Sequence, residues 1–401
     1  MSKRKSAQLT NDHSDTDEEK SENEYEEDCF IPNSQDPSSD ENDSADNESS
    51  DDDRYYKKSI CQKSFVELFE LFFTDELKNH IIKATSENGL EISMEKFNTF
   101  IGILLLTSYN IRTSTYEYWS SNPLLKCDVI ASAMSRKQFL DIKSKIKYSK
   151  TCNQTSVDKA WKVRDLINIF RKNIQQFGFF STALVVDEMM VRFFGRTSLK
   201  QYLPSKPDRY GLKFWGLCDV NGYIFDLDIY CGKRGDEKNE KLASCALGST
   251  VVLQMVNKLL MDVSKRKLCQ YHLYMDNFFT SPDLLVHLMK NGLKATGTVR
   301  RNRIEIKHEF DKKAVKAASV SPIKPLKRYS SDVRNKAEIR FPSAFVAYNK
   351  FMGGVDTHDF RCKKTVPKIN SKKWTCSVLM FKLTDPGAQG GQYQHHLQEL
   401  S

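Results

Sequence analysis

No stretch of this 401-residue chain approaches the ~18–20 consecutive apolar residues that a membrane-spanning helix requires. Its opening, MSKRKSAQLT, holds no apolar segment of the kind a secretory leader needs. Both absences predict a soluble, intracellular protein with no membrane partner. The ten cysteines never form a Cys-x-x-Cys pair, and none stands with histidines at zinc-ligand spacing. That leaves neither a disulfide framework nor a zinc module, and predicts reduced thiols in a cytosolic or nuclear protein. Basic residues are nearly missing from residues 11–53, where 19 acids face a single cation, Lys20.

What is present is just as uneven. The net charge of +9 is the balance of +3 in residues 1–10, −18 in residues 11–53 and +24 in residues 54–401. Residues 1–58 are rich in Ser, Asp, Glu and Asn, cannot bury enough apolar surface to offset their ordering entropy, and are expected to be disordered. The cluster Lys3-Arg4-Lys5 is compatible with a nuclear signal. A folded part carrying +24 points to a polyanionic partner, most simply nucleic acid. With 24 Phe and 16 Tyr and a hydrophobic fraction of 39%, that part has ample material for a core.

From Ser64 the pattern turns helical. Phe65, Leu68, Phe69 and Phe72 form one stripe of a helix, and a second helix is predicted over Met94–Ser108. Ser135 and Gln138 make a capping-box pattern ahead of Phe139 and Ile142, and another helix is predicted from about Ala160 to Phe177. The aromatics Tyr116–Trp119 suit packing between helices better than stacking on bases. Beyond residue 180 the chemistry changes. Ala183–Val186, Gly211–Cys218 and Tyr223–Tyr230 read as strands of an antiparallel meander, with Asn221-Gly222 as a hairpin turn. A helix over Ser249–Val263, a strand over Leu268–Met275, a helix opened by Ser281-Pro282 and closed at Asn291-Gly292, and a strand over Lys294–Val299 come next. That order predicts an α/β fold, a mixed sheet flanked by helices, after an all-helical region.

Three acids stand at strand ends or in a turn: Asp187, Asp276 and Asp356. Aspartates on neighbouring elements can hold the two Mg2+ ions, ~4 Å apart, that run phosphodiester cleavage. Acids at strand ends are as a rule solvated, so their positions alone leave the triad open. Arg192, Arg196, Lys200, Lys206 and Arg209 are candidate phosphate contacts, with a solvated basic face as the plainer reading. Glu188 beside Asp187 reads as solvent-facing, and His272 and His358 as structural or exposed.

The segments VDEMMVRFFGR, QYLPSKPDRYGLKFWGLCD, YMDNFFTSPDLL, ATGTVRRNR and YNKFMGGVDTHD occur in that order between Val186 and Asp359, within a likeness that covers about residues 60–380. Together they closely resemble the piggyBac family of transposases and its domesticated derivatives. The resemblance implies a ribonuclease H-like catalytic core whose Asp-Asp-Asp triad is Asp187, Asp276 and Asp356, with Asp359 a further acid of the metal set. It implies two Mg2+ or Mn2+ ions, DNA as partner (transposon ends and a TTAA target), a homodimer, a nuclear location and no small-molecule substrate. The implied reaction is cut-and-paste transposition: a 3′ nick, hairpin formation on the element ends, hairpin opening and joining to the target.

The expected organisation is a disordered acidic tail (1–58), a helical dimerisation and DNA-binding domain (59–180), the transposase core (181–382) and an unstructured tail (383–401). The core carries a basic, poorly patterned insertion at about 300–342, in which Arg300, Arg301 and Arg303 are placed near DNA. Against the family pattern, the interval from Asp276 to Asp356 is short, the likeness stops after Lys382 so that the end reads as truncated, and the family's cysteine-rich zinc module is missing. These departures support an alternative function, a catalytically inactive DNA- or chromatin-binding protein, so whether the chain is an enzyme stays open here.

Overall fold

A computed structural model describes residues 63–150, 158–176, 181–204, 206–232, 247–299, 323–330 and 335–384. The acidic tail and Arg300, Arg301 and Arg303 lie outside the described residues. No described helix is long and apolar enough to cross a membrane.

The first part is helical, and four of its six described α-helices start where a Ser or Thr side chain accepts from a free backbone N–H group. Helix α1 (Phe65–Phe72) has a full capping box between Ser64 and Glu67. Thr74 caps α2 (Asp75–Ser86) and Ser93 caps α3 (Met94–Tyr109). The short α4 (Asp128–Ala133) precedes α5 (Arg136–Lys145), which has the capping box expected of Ser135 and Gln138. Helix α6 (Trp161–Gln175) completes the set. Tyr118 is buried, and the Trp119 indole donates to the Met134 carbonyl at 2.7 Å, so this aromatic run fills the space between helices.

The second part is a six-stranded mixed sheet. Its strands are β1 (Ala183–Arg192), β2 (Lys200–Tyr202), β3 (Tyr210–Asp219), β4 (Ile224–Ile229), β5 (His272–Met275) and β6 (Lys294–Gly297). Strand β3 pairs antiparallel with β1 on one edge and with β2 and β4 on the other, which is the expected meander with one short strand added. On its far side β1 pairs parallel with β5, and β5 with β6. Parallel neighbours need long crossovers. Here they contain α7 (Leu247–Asp262) and α8 (Pro282–Lys290).

Two expectations change. The strand expected to begin at Leu268 starts four residues later. Lys265–Leu268 is instead a helical turn, closed by the Leu268 N–H on the Ser264 carbonyl at 2.8 Å. Within the basic insertion, β7 (Ile323–Ser330) and β8 (Asn335–Pro342) pair antiparallel over their full length. Their many cations obscure the alternation by which a strand is recognised, while pairing depends only on the backbone.

After the hairpin come α9 (Ser343–Phe351), α10 (Gly354–Thr365) and α11, residues 374–384. Helix α11 runs two residues past the expected boundary at 382, and Leu383 and Thr384 are buried. Its Lys382 is buried with its ammonium 5.0–5.3 Å from the rings of Phe170 on α6, Phe214 on β3 and Phe381. Helical part and sheet thus share one continuous hydrophobic core.

Polar contacts tie the layers together at two places. Arg171 on α6 grips Asp226 on β4 with two N–H donors at 2.5 and 2.6 Å, and Arg164 joins Asp158 (2.7 Å) and Asp228 (2.5 Å). Helix α10 crosses β1 and β3 so closely that a Cβ at Gly354 would run into the Asp219 carbonyl. At the β3–β4 turn, Gly222 adopts φ +84°, as the Asn-Gly signal requires. Its carbonyl accepts from Nδ1 of the buried His358 at 3.0 Å, while the Cys362 thiol faces Nε2 of the same ring at 3.4 Å. His358 is thus structural, and its bond to the turn fixes where α10 begins.

Candidate active site

Asp187 lies on β1, and successive strand residues point to opposite faces. Its carboxylate is therefore on the face covered by α10, where the opposing Gly216 leaves room for Met189 and Val355. Glu188 points the other way. It does not face solvent: Lys213 lies 3.7 Å from its carboxylate. The Lys213 ammonium in turn sits 4.2 Å from the Trp215 ring and 5.0 Å from that of Phe278, and burial lowers its pKa.

Asp276 follows the last residue of β5. The parallel register pairs Val186 with Met275, so Asp187 and Asp276 are the next positions on adjacent strands. The Asp276 side chain accepts the Phe278 N–H, and its carbonyl accepts the Thr280 hydroxyl at 2.7 Å. Phe278 then stacks on Trp215 with ring centroids 5.5 Å apart, fastening the Asp276 turn to β3. His272, at the other end of β5, contacts the Thr296 hydroxyl at 2.7 Å, a structural role.

Asp356 is in the first turn of α10. One ammonium joins it to Asp187: Lys206 Nζ is 2.9 Å from Asp356 Oδ1 and 3.6 Å from Asp187 Oδ2. Burial pushes the Asp187 carboxyl up to about 7, with Lys206 opposing and Glu188 and Asp356 adding to the rise. Burial works against the Lys206 ammonium, but Asp187 and Asp356 together hold its pKa above the ordinary lysine value. Tyr348 on α9 senses the same charges. Burial raises its phenol to about 12, with Asp276 and Asp187 adding to the shift.

Asp359, one helical turn beyond Asp356, is buried and belongs to a neighbouring network. Lys363 bridges it at 2.7 Å to Asp208 at 3.3 Å, and Asp208 also faces Arg192 at 3.8 Å. Asp359 Oδ1 has no hydrogen-bond partner among the described residues. An open cleft of about 470 Å3 adjoins this network, lined by Arg192, Phe194, Lys363 and Lys368 among others. Of the other basic candidates, Arg196 and Arg209 are exposed, and Lys200 is half-buried with its ammonium 5.8 Å from the Tyr210 ring.

Lys206 differs from those candidates. The sequence offers it as a phosphate contact or a solvated cation, whereas its side chain is 12% exposed and turned in to the carboxylates. Pro204 and Pro207 on either side restrict the loop backbone, and the Leu203 N–H on the Arg209 carbonyl (2.8 Å) closes it. Sequence reasoning set Asp276 at a strand end, where it lies. It set Asp187 at a strand end and Asp356 after a turn, whereas they lie within β1 and on α10. It did not single out Lys213, Asp208, Tyr348 or Lys363. Among these Lys213, Asp208 and Tyr348 lie in quoted motifs, and Lys363 lies just beyond one.

Oxygen donors of this kind suit Mg2+ or Mn2+. Among the described residues no three His, Cys, Asp or Glu side chains stand together as a ready metal site. The residues nonetheless fit such an ion, because Asp187 and Asp356 already converge on one cation and Asp359 holds an orphaned buried oxygen.

Three comparisons bear on this arrangement. Residues 64–322 match the family model described as Transposase IS4. The chain is 30% identical over 353 residues to human piggyBac transposable element-derived protein 3, covering 79% of this chain and 58% of the relative. It is 26% identical over 355 residues to human piggyBac transposable element-derived protein 2, covering 79% and 59%. The chain thus spans less than two thirds of the curated relatives it matches. Its fold is shared with a piggyBac transposase solved by cryo-EM as a synaptic complex with hairpin DNA. That match has a TM-score of 0.67 at 22% identity and covers 84% of this chain and 76% of the other, which makes the sheet and its helices a ribonuclease H-like core.

Proposed function

Because the chain belongs to the IS4-type DDE transposases, alongside the piggyBac-derived proteins, we propose that it performs metal-dependent cleavage and transfer of DNA strands. The observation that carries this reading is the approach of three acids distant in sequence. Asp187 and Asp276 stand at adjacent strand positions, and Asp356 is brought to Asp187 on α10. DDE transposases generally use divalent metal ions. In this reading Asp187, Asp276 and Asp356 hold two Mg2+ or Mn2+ ions, with Asp359 at the margin. The ions supply an activated attacking oxygen and a stabilised leaving oxygen.

The chain's own residues have distinct tasks. The β1–β5 register and the α10 packing align the three carboxylates. The Phe278–Trp215 stack holds the Asp276 turn, and the His358–Gly222 contact holds Asp356. Arg192, Arg196, Lys200 and Arg209, with Arg300, Arg301 and Arg303, are proposed to contact phosphates and orient the duplex without reading its sequence. Transposon ends and a TTAA target, a homodimer formed through the helical part, and a nuclear location complete the proposal.

One observation favours a second reading. Lys206 forms ion pairs with both Asp187 and Asp356, a contact that a DNA- or chromatin-binding protein that has given up catalysis would keep. Incubation of the purified protein with Mn2+ and duplexes bearing candidate terminal repeats separates the two. Nicked and hairpin products, lost in Asp276→Asn with DNA binding intact, support the enzyme. Binding without metal-dependent products, unchanged by Asp276→Asn, establishes the second reading.

A further inference from the structure

We infer that Lys206 is a built-in counter-cation that competes with a divalent metal ion for Asp187 and Asp356, and so sets the affinity of the site for metal. The inference rests on the metal-binding reading above and adds a residue to it. Three observations carry it. Lys206 Nζ is 2.9 Å from Asp356 Oδ1 and 3.6 Å from Asp187 Oδ2, so the ammonium sits between two of the proposed ligands. The Lys206 side chain is 12% exposed, as is that of Asp187, so the pair interacts where water screens little. Pro204, Pro207 and the Leu203–Arg209 contact restrict the backbone that presents Lys206 to the two acids.

The charge arithmetic then gives a direction. A single positive charge offsets at most one of the two carboxylates, which leaves the pair attractive to a stronger cation. Removing that charge benefits a divalent ion about twice as much as a proton, because Coulomb energy scales with the charge of the ion. Proton uptake by the acids therefore offsets the gain only in part. Metal binding should tighten when Lys206 loses its charge. A lysine serving only as a DNA contact would leave metal affinity alone.

The test is Mn2+ binding to the full-length, DNA-free protein, followed by the electron paramagnetic resonance signal of free Mn2+. Lys206→Met is expected to bind Mn2+ roughly tenfold more tightly than the native protein. Lys206→Arg, which keeps the charge, is expected to stay within about twofold. Lys206→Gln repeats the measurement if the methionine variant does not fold by circular dichroism. Binding seen only in the uncharged variants supports competition in its strongest form. Equal or weaker binding in Lys206→Met and Lys206→Gln, with clear binding to the native protein, overturns the role of Lys206 and leaves the metal site standing. Absence of binding in the native protein and every variant overturns the metal site itself.

Discussion

Two regions of this molecule bury carboxylates beside cations, and they do so in opposite ways. Between α6 and β4 the buried acid Asp226 is saturated with donors. Asp226 takes two N–H groups from Arg171 and a third from the Leu227 backbone at 2.8 Å. In the candidate active site, Asp187 has the Glu188 N–H at 2.8 Å and one lysine at 3.6 Å, which it shares with Asp356 while Glu188 stands next to it. The first cluster surrounds its acid with donors and serves as a clamp. The second has acids in excess over close cations, an arrangement that costs stability and leaves negative charge available. Stable burial calls for saturation, whereas a cation site calls for incomplete saturation.

The contrast is tested most severely at the clamp. Arg171→Ala should strand a buried carboxylate and destabilise the protein by about 3–5 kcal/mol in urea unfolding. Arg171→Met combined with Asp226→Leu should recover most of that loss, since an apolar pair of similar size leaves no charge behind. A single-variant loss below about 1 kcal/mol would remove the distinction between the two clusters.

Burial raises the Asp226 carboxyl, with Arg171 opposing, and raises that of Asp187 as well, so pH is the next test at the site. The folded-state pKa of Asp187 is raised from 3.8 to about 7, so the folded protein holds a proton that the unfolded chain releases earlier. Stability linked to this group is fully present below the unfolded value and is lost as pH rises through the folded value. Asp187→Asn should therefore stabilise the metal-free protein by up to about 4 kcal/mol at pH 8 and by less than about 1 kcal/mol at pH 4. Thermal unfolding in the presence of a chelator reads both. A variant less stable than the native chain at pH 8 would put Asp187 in the same class as Asp226.

The smallest effect is expected on the exposed basic face, which belongs to neither cluster. Arg196→Gln and Arg209→Gln should each weaken duplex binding a few-fold and lower the slope of log affinity against log salt by about 0.9. An unchanged slope would mean that these side chains are ordinary solvated charge.

How much of the fold and site is legible in the sequence depends on the range of the forces involved. The capping box at Ser135, the Asn221-Gly222 turn and the Ser281-Pro282 helix start are readable because each is decided by neighbours within a few residues. Helix α2 escapes such reading because charged and polar residues dilute its apolar stripe, and its buried Leu77 and Ile81 gain their meaning from the helices packed on them. Asp187, Asp276 and Asp356 are identifiable through long motifs. Lys206 stands in one of the same motifs, yet its position among basic residues suggests a surface contact with DNA.

By itself, the sequence determined the split into a helical part and an α/β core, five of the strands in their order along the chain and the membership of the family. Periodicity, turn residues and ordered motifs are all written along the chain. Tertiary structure alone decided which charges meet. Lys206 lies 150 residues from Asp356, and only the close passage of α10 over β1 and β3 brings that ammonium and two acids together. Coulomb energy depends on distance and burial in space, and neither can be read from separation along the chain.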